Sequence, residues 1–135
     1  MMYLLDTNIL SELIKKRPNL NFIARLRQEE SRTLCTSSIC VFELRFGSAL
    51  RDDFNTFWAR ITDEIISRIN ILPFGENEAH MAGDILARLR KVGKTIGIED
   101  VFIAATTIIN RCVLVTANIR HYSRIKDLKT ENWME

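Results

Sequence analysis

Asp6, Glu43, Asp100 and Asn118 are the residues whose types and surroundings point to chemistry. Asp6 follows the apolar run Met2-Tyr3-Leu4-Leu5 directly. A carboxylate there either accepts N–H bonds at the start of the next helix or belongs to a site. Glu43 shares a helical face with Ile39, Phe42 and Phe46, which recur at spacings of three and four. A carboxylate on such an apolar face is costly unless it is paired, with Arg45 or another base, or coordinated. Asp100 lies in the first turn of a helix after Gly97, where it either caps that helix or faces a site. Its neighbour Glu99 is expected to point outward, because adjacent helical positions do not share a face. Asn118 follows the run Val113-Leu114-Val115-Thr116; it is an ordinary loop residue or an amide oxygen for a hard cation. Carboxylates gathered closely repel one another unless a cation or proton compensates them. Oxygen donors suit Mg²⁺ or Mn²⁺, whereas three scattered cysteines and two distant histidines form no zinc signature. Ions so held can polarise a phosphodiester, activate water and steady a leaving oxygen.

These residues need elements to hold them. Met2–Leu5, apolar on both faces, reads as a central parallel strand. Thr7 or Asn8 is expected to cap a helix through Ile14 that Pro18 ends, and a second helix runs from about Leu20 to Glu29. Arg32–Thr36 reads as the next strand, with Ser37-Ser38 as turn and cap for a helix ending near Gly47. Helical spacing then covers Phe54–Ile69. Ile71–Phe74 reads as a strand whose Pro73 argues for an edge. A long helix from about Glu78 to Val92 stops at Gly93. Ile98, Phe102, Ala105 and Ile109 are expected to form the buried side of the following helix. Arg111–Thr116 is a strand, and Ile125–Trp133 adds a short strand or a docked turn. Short apolar strands alternating with helices predict a three-layer α/β/α sandwich around a mostly parallel sheet. In such a sheet the useful crevice lies beyond the carboxyl ends of the strands, where both Asp6 and Asn118 fall.

Length and composition narrow the function. The chain has 135 residues, the size of one domain, so residues 1–135 are expected to fold as one. At 47% hydrophobic and 27% charged, with 5 Gly and 2 Pro, it is neither disordered nor low-complexity. Nineteen basic against 17 acidic residues leave a net charge of +2, so nucleic-acid contact has to rest on a local patch. No apolar run approaches the roughly 18 residues of a spanning helix, which argues against a membrane. The odd cysteine count, at irregular spacing, indicates a reducing, cytoplasmic protein.

Five segments, read in order, carry a resemblance: Leu4-Leu-Asp-Thr-Asn8, Ser37-Ser-Ile-Cys-Val-Phe-Glu-Leu44, Ile96-Gly-Ile-Glu-Asp-Val-Phe-Ile-Ala-Ala105, Leu114-Val-Thr-Ala-Asn118 and Ile125-Lys-Asp-Leu-Lys-Thr-Glu-Asn-Trp133. Over nearly its whole length the chain resembles the PIN-domain ribonucleases, in particular the VapC toxins of VapBC toxin–antitoxin pairs. The resemblance implies a PIN-like sandwich in which Asp6, Glu43 and Asp100 hold Mg²⁺ or Mn²⁺ for RNA hydrolysis. Asn118 would be a fourth ligand where relatives carry Asp or Asn. Thr7, Asn8, Ser37 and Thr116 would support the acids. Cys40 stands where Thr is common and reads as a packed thiol, not a nucleophile. The resemblance further implies cleavage of tRNA or rRNA, leaving a 5′-phosphate and a 3′-hydroxyl, and so arrest of translation. It implies a homodimer and a small VapB-type antitoxin that enters the active groove and alone supplies contact with operator DNA.

Acids alone would repel RNA. Arg88, Arg90, Lys91 and Lys94 gather at one helix end, and Arg111, Arg120 and Arg124 lie around the last clear strand. Arg120, Lys94 and Arg88 are the expected phosphate contacts, against the plainer reading of a solvated surface. His121 and Tyr122 either stack on bases or simply pack, and His80 reads as structural. The apolar side chains of Ile9–Ile23 and Phe54–Trp58 are expected to meet an antitoxin or a second copy, though internal packing accounts for them equally. The competing functions are a metal-dependent DNA nuclease, a receiver-like signalling domain, and a silent RNA-binding or antitoxin-sequestering subunit. The receiver reading needs adjacent N-terminal acids and a lysine after a later strand; this chain has neither.

Overall fold

The computed structural model describes residues 1–135. Five strands, β1 (Tyr3–Leu5), β2 (Leu34–Ser37), β3 (Asn70–Leu72), β4 (Val113–Val115) and β5 (Thr130–Glu131), form one sheet in the order β3-β2-β1-β4-β5. Every pairing is parallel, so the sheet is more uniform than the mostly parallel one expected. Seven helices flank it: α1 (Thr7–Glu12), α2 (Leu20–Gln28), α3 (Ser38–Ala49), α4 (Phe54–Glu64), α5 (Glu76–Lys91), α6 (Ile98–Ile109) and α7 (Ile119–Tyr122). The result is a mixed α/β fold, a parallel sheet between helices, as a both-faces-apolar strand requires. Leu4 and Leu5 are wholly buried, at the centre of one cluster of 24 core residues.

Several boundaries differ from expectation, each for a local reason. Asp6, not Thr7 or Asn8, caps α1: its Oδ1 accepts from Thr7 N at 2.8 Å. That helix stops at Glu12, well before Pro18, because the buried Glu12 carboxylate accepts from Asn19 N at 2.7 Å and from Lys15 Nζ at 2.8 Å, ordering the loop between them. Arg32 and Thr33 belong to a 3₁₀ turn ahead of β2. The Phe54–Ile69 pattern breaks at Ile65, whose backbone is not helical, and continues as a 3₁₀ turn. Helix α5 starts at Glu76 because Glu78 reaches back to accept from Gly75 N at 3.1 Å. Gly93 ends that helix with φ +70°, a conformation that favours glycine. On α6 the buried residues are Val101, Ile103, Ala104, Ala105, Thr106 and Thr107; Ile98 is exposed, and Phe102 and Ile109 are half-buried. That helix packs on both α5 and α3, so its apolar surface is wider than one stripe. Strand β3 is an edge, as Pro73 indicated. The tail both adds a strand and docks: the Trp133 ring meets Tyr3 edge-on at 5.1 Å, with the Arg25 guanidinium 4.7 Å over it.

Strand order matters most for the site. β1 lies between β2 and β4, so the carboxyl ends of three neighbouring strands deliver Asp6, Ser37 and Thr116 side by side. Asp6 N donates to Val115 O at 2.9 Å, and the buried Thr36 hydroxyl donates to Leu5 O at 2.8 Å, locking this edge. A chain that turns one way from a central strand and then the other opens its crevice there.

Candidate acidic site at the strand ends

Asp6 is 4% exposed and held on both oxygens: Thr7 N donates to Oδ1, and Thr116 Oγ1 donates to Oδ2 at 2.8 Å. Thr116 Oγ1 in turn accepts from Asn118 N at 3.0 Å, so one hydroxyl ties β4, the loop after it and Asp6 together. Burial pushes the Asp6 carboxyl above its usual range; donation from Thr116 and Thr7 opposes this, and the Asp100 charge adds to it. Glu43, half-buried on α3, accepts from Thr7 Oγ1 at 2.7 Å. Its carboxyl is likewise pushed up, chiefly by burial, with Asp6, Asp100 and Glu99 adding their charges. Asp100, in the first turn of α6, accepts from Tyr122 Oη at 3.1 Å and lies 3.3 Å from His121 Nε2. Thr7 thus joins Asp6 and Glu43 directly, through its N–H on one and its hydroxyl on the other.

The supporting residues are distributed unevenly. Ser37 caps α3 by accepting from Cys40 N at 3.1 Å, and its hydroxyl donates to Cys40 Sγ at 3.3 Å. Cys40 is fully buried; burial, and Asp6 nearby, push its thiol up, which suits packing and not attack. Asn8 accepts from Ala117 N at 3.3 Å and so braces the loop after β4. Asn118 is exposed, its side chain bonded to none of the acids.

Some sequence arguments reached their residue by the wrong route. Glu43 does not lie on a buried apolar face: Phe42 and Phe46 are 55% and 59% exposed, stacked on each other at 6.3 Å. Nor does Arg45 pair with it, because that guanidinium lies over the rings of Phe54 and Trp58. Glu99 is half-buried and contributes to the field at Glu43 instead of pointing away. Tyr122 packs, as its plainer reading had it: it is 1% exposed in the core, and its hydroxyl donates to Asp100. Burial and the Asp6 and Asp100 charges push its phenol far up, so it stays a donor. His80 is a surface residue beside Glu76, not a structural one.

The basic residues divide by strand end. Arg111 sits in a left-handed turn before β4, at the opposite end from the acids. Arg120 and Asn118 line a concavity of 420 Å³ with His121 and Arg124. Arg124 also lines a second concavity, of 130 Å³, with Arg88, Lys94 and Lys126, and its Nη1 donates to Thr95 O at 2.7 Å. Arg124 thus joins two groups of cations that sequence spacing left separate. On the other side of Glu43 a cleft of 280 Å³ opens between α1, α3 and α4, lined by Thr7, Ile14, Arg51 and Phe57 among others. Ile9, Leu10 and Phe22 are wholly buried and belong to the core, not to a contact surface.

No three His, Cys, Asp or Glu side chains close into a finished metal cage. The donor chemistry nonetheless fits a hard divalent cation: carboxylate oxygens that repel each other and a Glu43 Oε2 with no hydrogen-bond partner. No helix is long and apolar enough to cross a membrane.

Known proteins are similar to this chain in sequence and in fold. The PIN domain family model matches residues 3–128. The chain is 38% identical over 132 residues to ribonuclease VapC2 of Haemophilus influenzae, covering 98% of each. It is 30% identical over 131 residues to the tRNA(fMet)-specific endonuclease VapC of Shigella flexneri, covering 97% of each. Among solved structures, VapBC2 of Rickettsia felis bound to a promoter DNA fragment matches with a TM-score of 0.89 and 31% identity, over 98% of this chain and 99% of that one.

Proposed function

The chain belongs to the PIN-domain family, closely related to the VapC ribonuclease toxins, and from that premise we propose that it is the toxin of a toxin–antitoxin pair, a metal-dependent endoribonuclease. The observation that carries this reading is that Thr7 ties Asp6 to Glu43 at the carboxyl ends of the central strands, with Asp100 presented from the first turn of α6. The single core supports one nuclease domain over residues 1–135. Asp6, Glu43 and Asp100 would hold Mg²⁺ or Mn²⁺, with Asn118 at the margin. Such an ion, when bound, supplies charge to polarise the scissile phosphate and to acidify a water.

The chain's own residues do the rest. Thr7 orients Asp6 through its N–H and Glu43 through its hydroxyl, so one residue sets two acids. Thr116 holds the second Asp6 oxygen, and Ser37 fixes the start of the helix that carries Glu43. Arg120, Arg88 and Lys94, with Arg124 between them, offer charge to the phosphates of an RNA strand, without reading bases. The substrate class is tRNA or rRNA, by analogy with the tRNA-cleaving relative. A VapB-type antitoxin occupies the cleft beside Glu43, its apolar side chains against Ile14 and Phe57, and operator DNA is contacted through it. A homodimer in the bacterial cytoplasm completes the assembly.

The test is cleavage of purified total tRNA and rRNA by antitoxin-free protein, with Mg²⁺, Mn²⁺ or EDTA, beside Asp6→Asn and Asp100→Asn, with the ends sequenced. Discrete metal-dependent cuts lost in both variants support the reading. Absence of cuts from folded, metal-bound protein points to a silent binding role.

A further inference from the structure

Tyr122 is the largest of the fully buried side chains. Its ring fills core space at 1% exposure, and phenylalanine would fill the same space. The hydroxyl is therefore what distinguishes it, and a buried hydroxyl needs a partner. It finds that partner in the acidic site: Oη donates to Asp100 Oδ1 at 3.1 Å.

The two acids differ in how firmly they are held. Asp6 has a donor on each oxygen, from Thr7 and Thr116, which belong to its own loop and the adjoining strand end. Asp100 stands in the first turn of α6, its side chain 31% exposed, and its partners are Tyr122 and His121. The His121 side chain is 43% exposed, whereas Tyr122 is buried in the core. A carboxylate oxygen has lone pairs for both a hydroxyl donor and a cation.

Resting on the reading of these acids as a cation site, we propose that Tyr122 is a positioning residue for it: its buried hydroxyl fixes the Asp100 carboxylate in readiness for a divalent ion. Outer hydrogen bonds to ligating carboxylates are worth about 10–100-fold in metal affinity or activity. Tyr122→Phe is thus expected to keep the fold, by circular dichroism and melting in EDTA, while Mn²⁺ binds about 10–100-fold more weakly. RNA turnover should fall through kcat, with KM held because the substitution leaves every cation offered to the phosphates in place.

The experiment titrates Mn²⁺ by electron paramagnetic resonance into the full chain, for wild type, Tyr122→Phe, Asp100→Asn and the double variant. If Tyr122 acts through Asp100, the tyrosine change adds little once Asp100 is neutral. Mn²⁺ affinity within about twofold of wild type in folded Tyr122→Phe, or full additivity in the double variant, overturns the proposal. Weakened Mn²⁺ binding in a protein that cuts no RNA upholds it and defeats the nuclease reading. Wild-type protein that binds no Mn²⁺ overturns both.

Discussion

Replacing Asp6 by Asn separates what its side chain does for the fold from what its charge does for chemistry. The amide retains an oxygen for Thr7 N, so the cap on α1 survives. Thr116 Oγ1, already an acceptor for Asn118 N, can accept from the new amide N–H. What disappears is a buried negative charge repelled by Asp100. Exchanging the charge-assisted Thr116 bond for a neutral one costs about 1 kcal/mol. Relief of desolvation and repulsion exceeds that cost, so in EDTA at neutral pH the variant should gain about 1 kcal/mol over wild type. For a chain of this length that is about 3–5 °C in Tm. Mg²⁺ reverses the order, since a ligand at 100 times its Kd stabilises by about 2.7 kcal/mol, and the variant lacks a charged ligand. The pH dependence has a definite sign. Because the folded Asp6 carboxyl titrates above its ordinary 3.8, the native state binds that proton more tightly than the unfolded chain. The wild-type penalty is therefore present above the raised value and fades as pH falls through it toward 3.8, narrowing the gap between the two proteins. Thermal melts with EDTA and with Mg²⁺, at neutral and mildly acidic pH, read all three effects. An Asn variant less stable than wild type in EDTA, or one showing the full Mg²⁺ gain, would refute the reasoning.

Three further outcomes are expected. Thr7→Val removes the hydroxyl that donates to Glu43 at 2.7 Å while keeping shape, so kcat for RNA should drop about 10-fold at saturating Mg²⁺; single-turnover kinetics will read it, and an unchanged rate would discount Glu43's orientation. Arg124→Ala removes the cation common to two basic concavities. RNA binding, measured in EDTA across a salt series, should weaken with its log–log slope reduced by about 0.7, the share of one phosphate contact on a single strand. Glu12→Ala leaves Asn19 N without its acceptor and frees Lys15, which should lower urea-unfolding stability by about 1–3 kcal/mol with RNA cleavage unaltered.

Features written in neighbouring residues were readable before any fold was known. The apolar run into Asp6, the Ser37 cap and the stop at Gly93 depend on hydrogen bonds and backbone conformations a few residues long. Five motifs in order were enough to indicate the family. Arguments that needed a residue's surroundings fared worse. Glu43 was singled out for a buried apolar face that is in fact exposed at Phe42 and Phe46, and Glu99 was turned outward by helical geometry alone. Tyr122 carried no local signal, because its partner is 22 residues away on another helix.

Residue order determined the caps, the strand centred on Leu4 and the kinds of oxygen donor available. Tertiary structure decided which donors meet. Parallel pairing of β1 with β2 on one side and β4 on the other puts three carboxyl ends in a row. Packing of α3 and α6 against each other then brings Glu43 and Asp100 toward Asp6 from 37 and 94 residues away along the chain (43 − 6 and 100 − 6). The hydrophobic burial that fixes those distances is non-directional and long-range, so no window of sequence contains it.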